Sequence, residues 1–245
     1  MMHLPHNATS RRTAQQGVSL VELAIVLLVI GLLLGGVMMS LSTQDEIKRG
    51  TRTEQRLAEV RDAVAGFAVV NARLPRPAVS ALNGAERGAC ATELQCTGFL
   101  PWAALGLDRL DGHDKLLRYS VTPAYANAPF TLASVPTKAV TSRDAAGAVI
   151  YLAGAAGCPA NSGCVPMVVF SHGRANHGTT QDGTALPDAS GTNADEDANA
   201  AASVSFMARD FTANPAAAGG EFDDRVAWLG TSMLFGRMVQ AGKLP

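Results

Sequence analysis

One stretch limits what this chain can fold into. From Val18 to Leu41 the sequence reads VSLVELAIVLLVIGLLLGGVMMSL, with a single charged side chain, Glu22. As a helix rising 1.5 Å per residue, such a segment would be roughly 36 Å long, enough to cross a hydrocarbon core of about 30 Å with some tilt. The sequence therefore predicts a transmembrane helix over 18–41. A carboxylate near the end of such a helix is costly to bury unpaired, so Glu22 demands a functional explanation. Residues 1–17, MMHLPHNATSRRTAQQG, are polar, contain Arg11 and Arg12, and hold no acid. A secretory signal has its small-residue cleavage site after the apolar run. Here the candidate processing residue, Gly17, stands before it. Lys48, Arg49, Arg52 and Arg56 follow the run, so the balance of positive charge alone does not orient it.

Beyond Leu41 the pattern turns polar and then amphipathic. Leu57, Val60, Val64 and Phe67 recur at steps of three and four, which puts them on one helical face. Pro75 and Pro77 stop the helix, because each restricts the residue before it and lacks an N–H. From Pro75 onward Ala, Gly, Pro, Thr and Asn rise and the apolar runs shorten. Strands are predicted at Arg118–Thr122, Phe130–Ser134, Ala148–Ala153, Pro166–Ser171 and Ser203–Phe211, separated by turn-rich loops that suggest an antiparallel sheet. Gly178–Ala200 reads as a long polar surface loop, and Leu229–Val239 as a short helix. The formal net charge is −1, and no basic patch interleaves with aromatics, so no nucleic-acid partner is expected.

Gly17, a hydrophobic residue, and then Ser19-Leu20-Val21-Glu22 resemble the cleavage and methylation motif of type IV prepilins and type II secretion pseudopilins. Val18 stands where that family usually has Phe. Two head segments are also similar to pseudopilin heads: Gly98-Phe99-Leu100-Pro101-Trp102, and Asp111–Tyr119 (DGHDKLLRY). In the second, Asp111 and Tyr119 keep their places while His113, Asp114 and Leu116 replace the family's Trp, Gly and Pro.

The resemblance implies cleavage between Gly17 and Val18 by a prepilin peptidase, N-methylation of Val18, and an assembly role for Glu22 as the fifth residue of the mature chain. It implies a leader at 1–17, a helix at 18–74 (transmembrane over 18–41, amphipathic over 42–74), and a periplasmic globular head at 75–245. The implied fold class is α+β, a long N-terminal transmembrane and stalk helix packed on an antiparallel β-sheet head. The implied function is a non-enzymatic filament subunit, a pilin or pseudopilin. Its partners would be the prepilin peptidase, other pilin or pseudopilin subunits, an inner-membrane assembly platform and membrane lipid. Its placement would be single-pass in the inner membrane, amino terminus cytoplasmic and head periplasmic, before passage into a filament. Two other functions are open: a minor pilin holding a ligand or DNA through its head, and a membrane-anchored periplasmic hydrolase.

Four cysteines form two like-spaced pairs, Cys90 with Cys96 and Cys158 with Cys164. In a periplasmic head disulfides persist, and local pairing would close two small turn-rich loops. The rival is a four-thiolate zinc site, for which five intervening residues are a poor fit. Ser171, His172 and Asp182 could supply a nucleophile, base and orienting acid, but no nucleophile-elbow pattern surrounds Ser171. His172 and His177 lack the i, i+4 spacing of a helical zinc pair. Asp195, Glu196 and Asp197, with Asn199, Asp223 and Asp224, are the densest supply of oxygen ligands. Calcium takes six to eight oxygens from flexible loops, and several major pseudopilins bind calcium late in the head. The resemblance thus suggests calcium at Asp195, Glu196 and Asp197, against a plain solvated acidic loop.

Overall fold

The computed structural model describes residues 19–201 and 204–244. The predicted cleavage and methylation positions, Gly17 and Val18, lie outside the described residues. Two compact units divide the chain, residues 1–46 and 47–245. Helix α1, Leu20–Asn71, contributes to both.

The membrane expectation is corrected. Among the described residues no helix is long and apolar enough to cross a membrane. The predicted fold class, with its transmembrane helix, and the single-pass inner-membrane placement are both overturned on this finding.

The second unit is α+β. After α1 come β1 (Thr97–Phe99), α2 (Trp102–Leu105), β2 (Arg118–Val121), α3 (Pro123–Ala126), β3 (Ala139–Arg143), β4 (Val149–Ala153), β5 (Met167–Ser171), α4 (Ala194–Ala201), β6 (Ser205–Met207), β7 (Arg225–Leu229) and α5 (Thr231–Gln240). One sheet runs β1-β2-β5-β7 and is antiparallel throughout. The other runs β4-β3-β6, where β3 pairs antiparallel with β4 and parallel with β6. The expected antiparallel sheet is thus present as the first sheet, and the second adds one parallel pair. Parallel neighbours need a crossover of a dozen or more residues, and the chain between β3 and β6 supplies it through β4, β5 and α4.

The apolar stripe of α1 explains the first core. Leu57, Val60, Val64, Ala65 and Ala68 pack with Tyr119, Val121, Met167, Val169 and Leu229 of the first sheet and with Leu234 and Met238 of α5. The stripe closes on Ala68; Phe67 is half-buried, with the Arg73 guanidinium 5.3 Å from its ring centre. The opposite face of the same sheet forms a second core, where Val168 and Phe170 meet Val140 and Phe206. Strand β5 is buried at every position. Its alternate residues point to opposite faces and both faces are covered, which accounts for the unbroken apolar run MVVF.

Close approach fixes where α1 meets the loop before β2. The Arg49 guanidinium donates to the Gly112 carbonyl at 3.1 Å, and the Gly112 N–H donates to Thr53 Oγ1 at 3.0 Å. A Cβ on Gly112 would lie 2.0 Å from the Arg49 carbonyl oxygen, so only glycine fits. Nearby, the buried Tyr119 hydroxyl donates to the Pro75 carbonyl at 3.0 Å, tying β2 to the chain that leaves α1.

Both disulfides form, Cys90–Cys96 and Cys158–Cys164, with Cα–Cα distances of 5.2 and 5.7 Å, inside the usual range. No cysteine is left free, so the four-thiolate zinc alternative does not arise. Cys90 and Cys96 belong to the first core, which couples their loop to α1 and β2.

Candidate functional site

Two features are built for more than folding. The first is the amino-terminal part of α1. Every large apolar side chain from Leu20 to Leu32 is exposed, from 45 % at Ile30 to 88 % at Leu20. Contiguous apolar surface of this kind marks an interaction site. Glu22 is the one charged residue in this stretch and sits in the first helical turn, where a carboxylate complements the positive end of the helix dipole.

The second feature is a polar cluster that gathers the loop after β5, the first turn of α4 and the residues before β7. Three successive acids open α4, and a helix turns about 100° per residue, so they fan apart. Asp195 is gripped by two arginines: Arg143 donates to it at 2.7 and 2.8 Å, and Arg209 Nε lies 2.9 Å away. Glu196 turns inward and is buried, accepting from the Asp223 N–H at 2.7 Å and from the Asn176 and Asn193 side-chain amides, each at 3.0 Å. Asp197 faces outward and lies 2.8 Å from His177 Nε2. The structure therefore sends the three residues suggested for calcium to three different sets of partners. The carboxylates and imidazoles that do converge are His177 with Asp188 and Asp197, and Glu196 with Asp223 and Asp224.

Lys115 is the residue that sequence reasoning missed. Its ammonium is buried and donates to the carbonyls of His172, Ala175 and Asn176 at 3.3, 2.5 and 3.2 Å. Burial pushes its pKa below the ordinary lysine value, opposed by the nearby Asp223, Asp111, Asp224 and Glu196. The chain thus carries its own cation among these acids. Asp111 supports it from below: Oδ1 accepts from the N–H groups of His113 and Lys115 at 2.8 and 2.9 Å, and Oδ2 accepts from Ser171 Oγ at 2.5 Å.

That last contact decides how Ser171 is used. Its hydroxyl donates to Asp111 and accepts from the Gly173 N–H at 3.0 Å. His172 Nδ1 points instead toward Asp224 Oδ1, 3.5 Å away and without a hydrogen bond. Asp182 caps a separate exposed turn through Thr180 and Thr184. Among the described residues, Ser171, His172 and Asp182 are not linked into a nucleophile–base–acid chain.

Burial raises the Asp223 carboxyl above its ordinary pKa, and the neighbouring Asp224 adds to the rise, against N–H groups of Ala175 and Arg174 and the charge of Lys115. A carboxyl raised on folding is a cost above its folded pKa, and the cost fades as pH falls toward 3.8. Asp223→Asn keeps an acceptor for the two N–H groups and removes the charge. It is expected to raise the melting temperature at pH 7 by roughly 2–4 °C, the shift that about 1 kcal/mol produces in a chain of this size. The gap between the two proteins should close as pH is lowered, and thermal melts at pH 7 and pH 4 measure it. A variant less stable at both pH values would show that the charge of Asp223 holds the loop.

No family model, no curated protein and no solved structure matches this chain.

Proposed function

We infer that the chain is a structural subunit of a type IV pilus-like or type II secretion pseudopilus filament, assembled by packing the amino-terminal part of α1 against the same helix of neighbouring copies. The observation that carries this reading is the exposed apolar run from Leu20 to Leu32, interrupted only by Glu22 among charged residues. Apolar surface gains roughly 25 cal/mol per Å² on leaving water. Ten large side chains presented together therefore favour a helix bundle, and a bundle built from identical subunits is a filament when its contacts do not close on themselves. The second unit has its own cores and two disulfides, which suits a head carried on such a bundle. The motif Gly17-Val18-Ser19-Leu20-Val21-Glu22 supports activation by a prepilin peptidase that exposes the amine of Val18.

Leu28→Asp tests the reading, because Leu28 is 63 % exposed and outside both cores. The variant is expected to accumulate to the wild-type level and keep the melting temperature of the head, yet to give no sheared filaments. Mass spectrometry of the mature wild-type chain should find N-methyl-Val18 at its start. Filaments at wild-type yield from Leu28→Asp would overturn assembly through this helix.

A further inference from the structure

A groove of about 860 Å³ lies within the second unit, between α1 and β7. Arg225, Val226, Ala227 and Trp228 line it in succession. A strand that shows consecutive residues to a groove is presenting its edge, since its faces would show every other one. β7 is the last strand of its sheet, with β5 as its one ladder partner among the described residues. The free edge of such a strand offers unpaired main-chain groups to an incoming chain.

The two sides of this groove differ chemically. Ala227 and Leu229 face the core under α1, and Arg225 shares their face by alternation. Arg61 reaches the groove from α1. Among the described residues neither arginine has a hydrogen-bond or ion-pair partner, and Arg61 Nε is buried and unsatisfied. The acids on the lining do not answer them. Asp144 caps its own turn through the N–H groups of Ala146 and Ala148, Asp224 is bound by Asn199, and Glu54 and Asp210 are exposed. On the other face of β7, Val226 and Trp228 belong with the second core, joined along the groove by Leu152 of β4 and by Phe211, 48 % and 56 % exposed.

We propose that this groove receives an extended segment of a partner protein, which adds to β7 as the next strand and carries alternating acidic and apolar side chains. A strand laid against β7 places successive side chains on opposite faces. Those on the α1 side meet Arg61 and Arg225, and those on the other side meet Leu152, Phe211 and Trp228. Main-chain pairing supplies the affinity and the alternating pockets supply the selectivity, as in other cases of strand addition. Guanidinium–carboxylate contacts are charge-assisted and geometrically specific, which is why the acidic positions are required. This surface is separate from the apolar part of α1, and the proposal does not rest on the filament reading.

The probe is a fluorescein-labelled Val-Glu-Val-Glu-Val-Glu peptide, titrated into the purified full-length protein and followed by anisotropy. It is expected to bind saturably, at least tenfold tighter than the same peptide with Lys in place of Glu. Methylating its backbone nitrogens should abolish binding, because the strand pairing is lost. Arg61→Gln and Arg225→Gln, made separately so that a folding failure in one leaves the other, should each weaken binding at least tenfold with an unchanged urea midpoint in the folded variant. Equal binding of the Glu and Lys peptides, no binding of the Glu peptide, full binding of the methylated one, or indifference to both substitutions overturns the proposal. Sedimentation decides the remaining occupant: a dimer that Arg225→Gln dissociates and the peptide cannot displace makes the groove a contact between copies of this chain and overturns a partner strand.

Discussion

On the filament reading, Glu22→Ala subunits are expected to be cut at Gly17–Val18 and to fail to assemble. Cleavage there would leave a positive amine on Val18, four residues before Glu22 in the sequence. Within a bundle of apolar helices water is scarce, and a charge left unpaired there costs several kcal/mol, most of which a partner recovers. If Glu22 served only the dipole of its own helix, its removal would cost about 0.3–1 kcal/mol and assembly would persist. If it pairs with the amine of the adjacent subunit, its removal strands one charge at every contact in the filament and the loss multiplies along the polymer. Glu22→Asp keeps the charge but shortens its reach, so an intermediate yield is expected. Filament yield by shearing, read beside a blot for leader cleavage, separates the two roles. Normal assembly of Glu22→Ala would reduce Glu22 to a helix-end charge.

Asp111→Ala is expected to be the most damaging single change in the second unit. The carboxylate is fully buried and accepts three hydrogen bonds, from the His113 and Lys115 N–H groups and from the Ser171 hydroxyl. Truncation leaves those donors unsatisfied and removes one of the acids around the buried Lys115 ammonium. Removing one member of a buried charged network costs about 3–5 kcal/mol. Ser171→Ala leaves the carboxylate its two N–H bonds and orphans only the Gly173 N–H, so a smaller loss of about 1–3 kcal/mol is expected. Urea unfolding of the three proteins measures both. Equal, small losses would mean that the loop before β2 rearranges to satisfy itself.

Residues whose role depends on near neighbours were legible in the sequence. The spacing of Leu57, Val60 and Val64 marked the face of α1 that enters the first core, and the like-spaced cysteines marked both disulfides. The apolar run at Met167–Ser171 became β5, and α5 begins close to where the tail helix was predicted. Residues whose role depends on distant ones were not. β3 reads AVTSR, which carries no clean alternation because its first three residues, those paired with β6, are all buried and its last two are only partly covered. β7 was hidden because Leu229 resembled the start of a helix, whereas it is the last residue of a strand. The predicted strand at Phe130–Ser134 is a turn, in which Phe130 serves the core by packing on Tyr125, ring centres 4.9 Å apart. Within the polar cluster, the acids of α4 were visible as a run, but a run does not say which way each side chain points. Lys115 gave no signal at all: its partners are carbonyls of residues 172, 175 and 176, far along the chain.

The position of β5 has a consequence for how the second unit comes apart. Met167 and Val169 belong to one core, and Val168 and Phe170 to the other. Opening either core uncovers half of the same strand and loosens the ladders to β2 and β7 on its flanks. Neither core can melt while the other stays intact, so the helix layer and the small sheet behave as one cooperative unit. Amide protons of Val168 and Val169 should then exchange with solvent only through global unfolding, and a pulling force transmitted along α1 would meet resistance from the whole head at once.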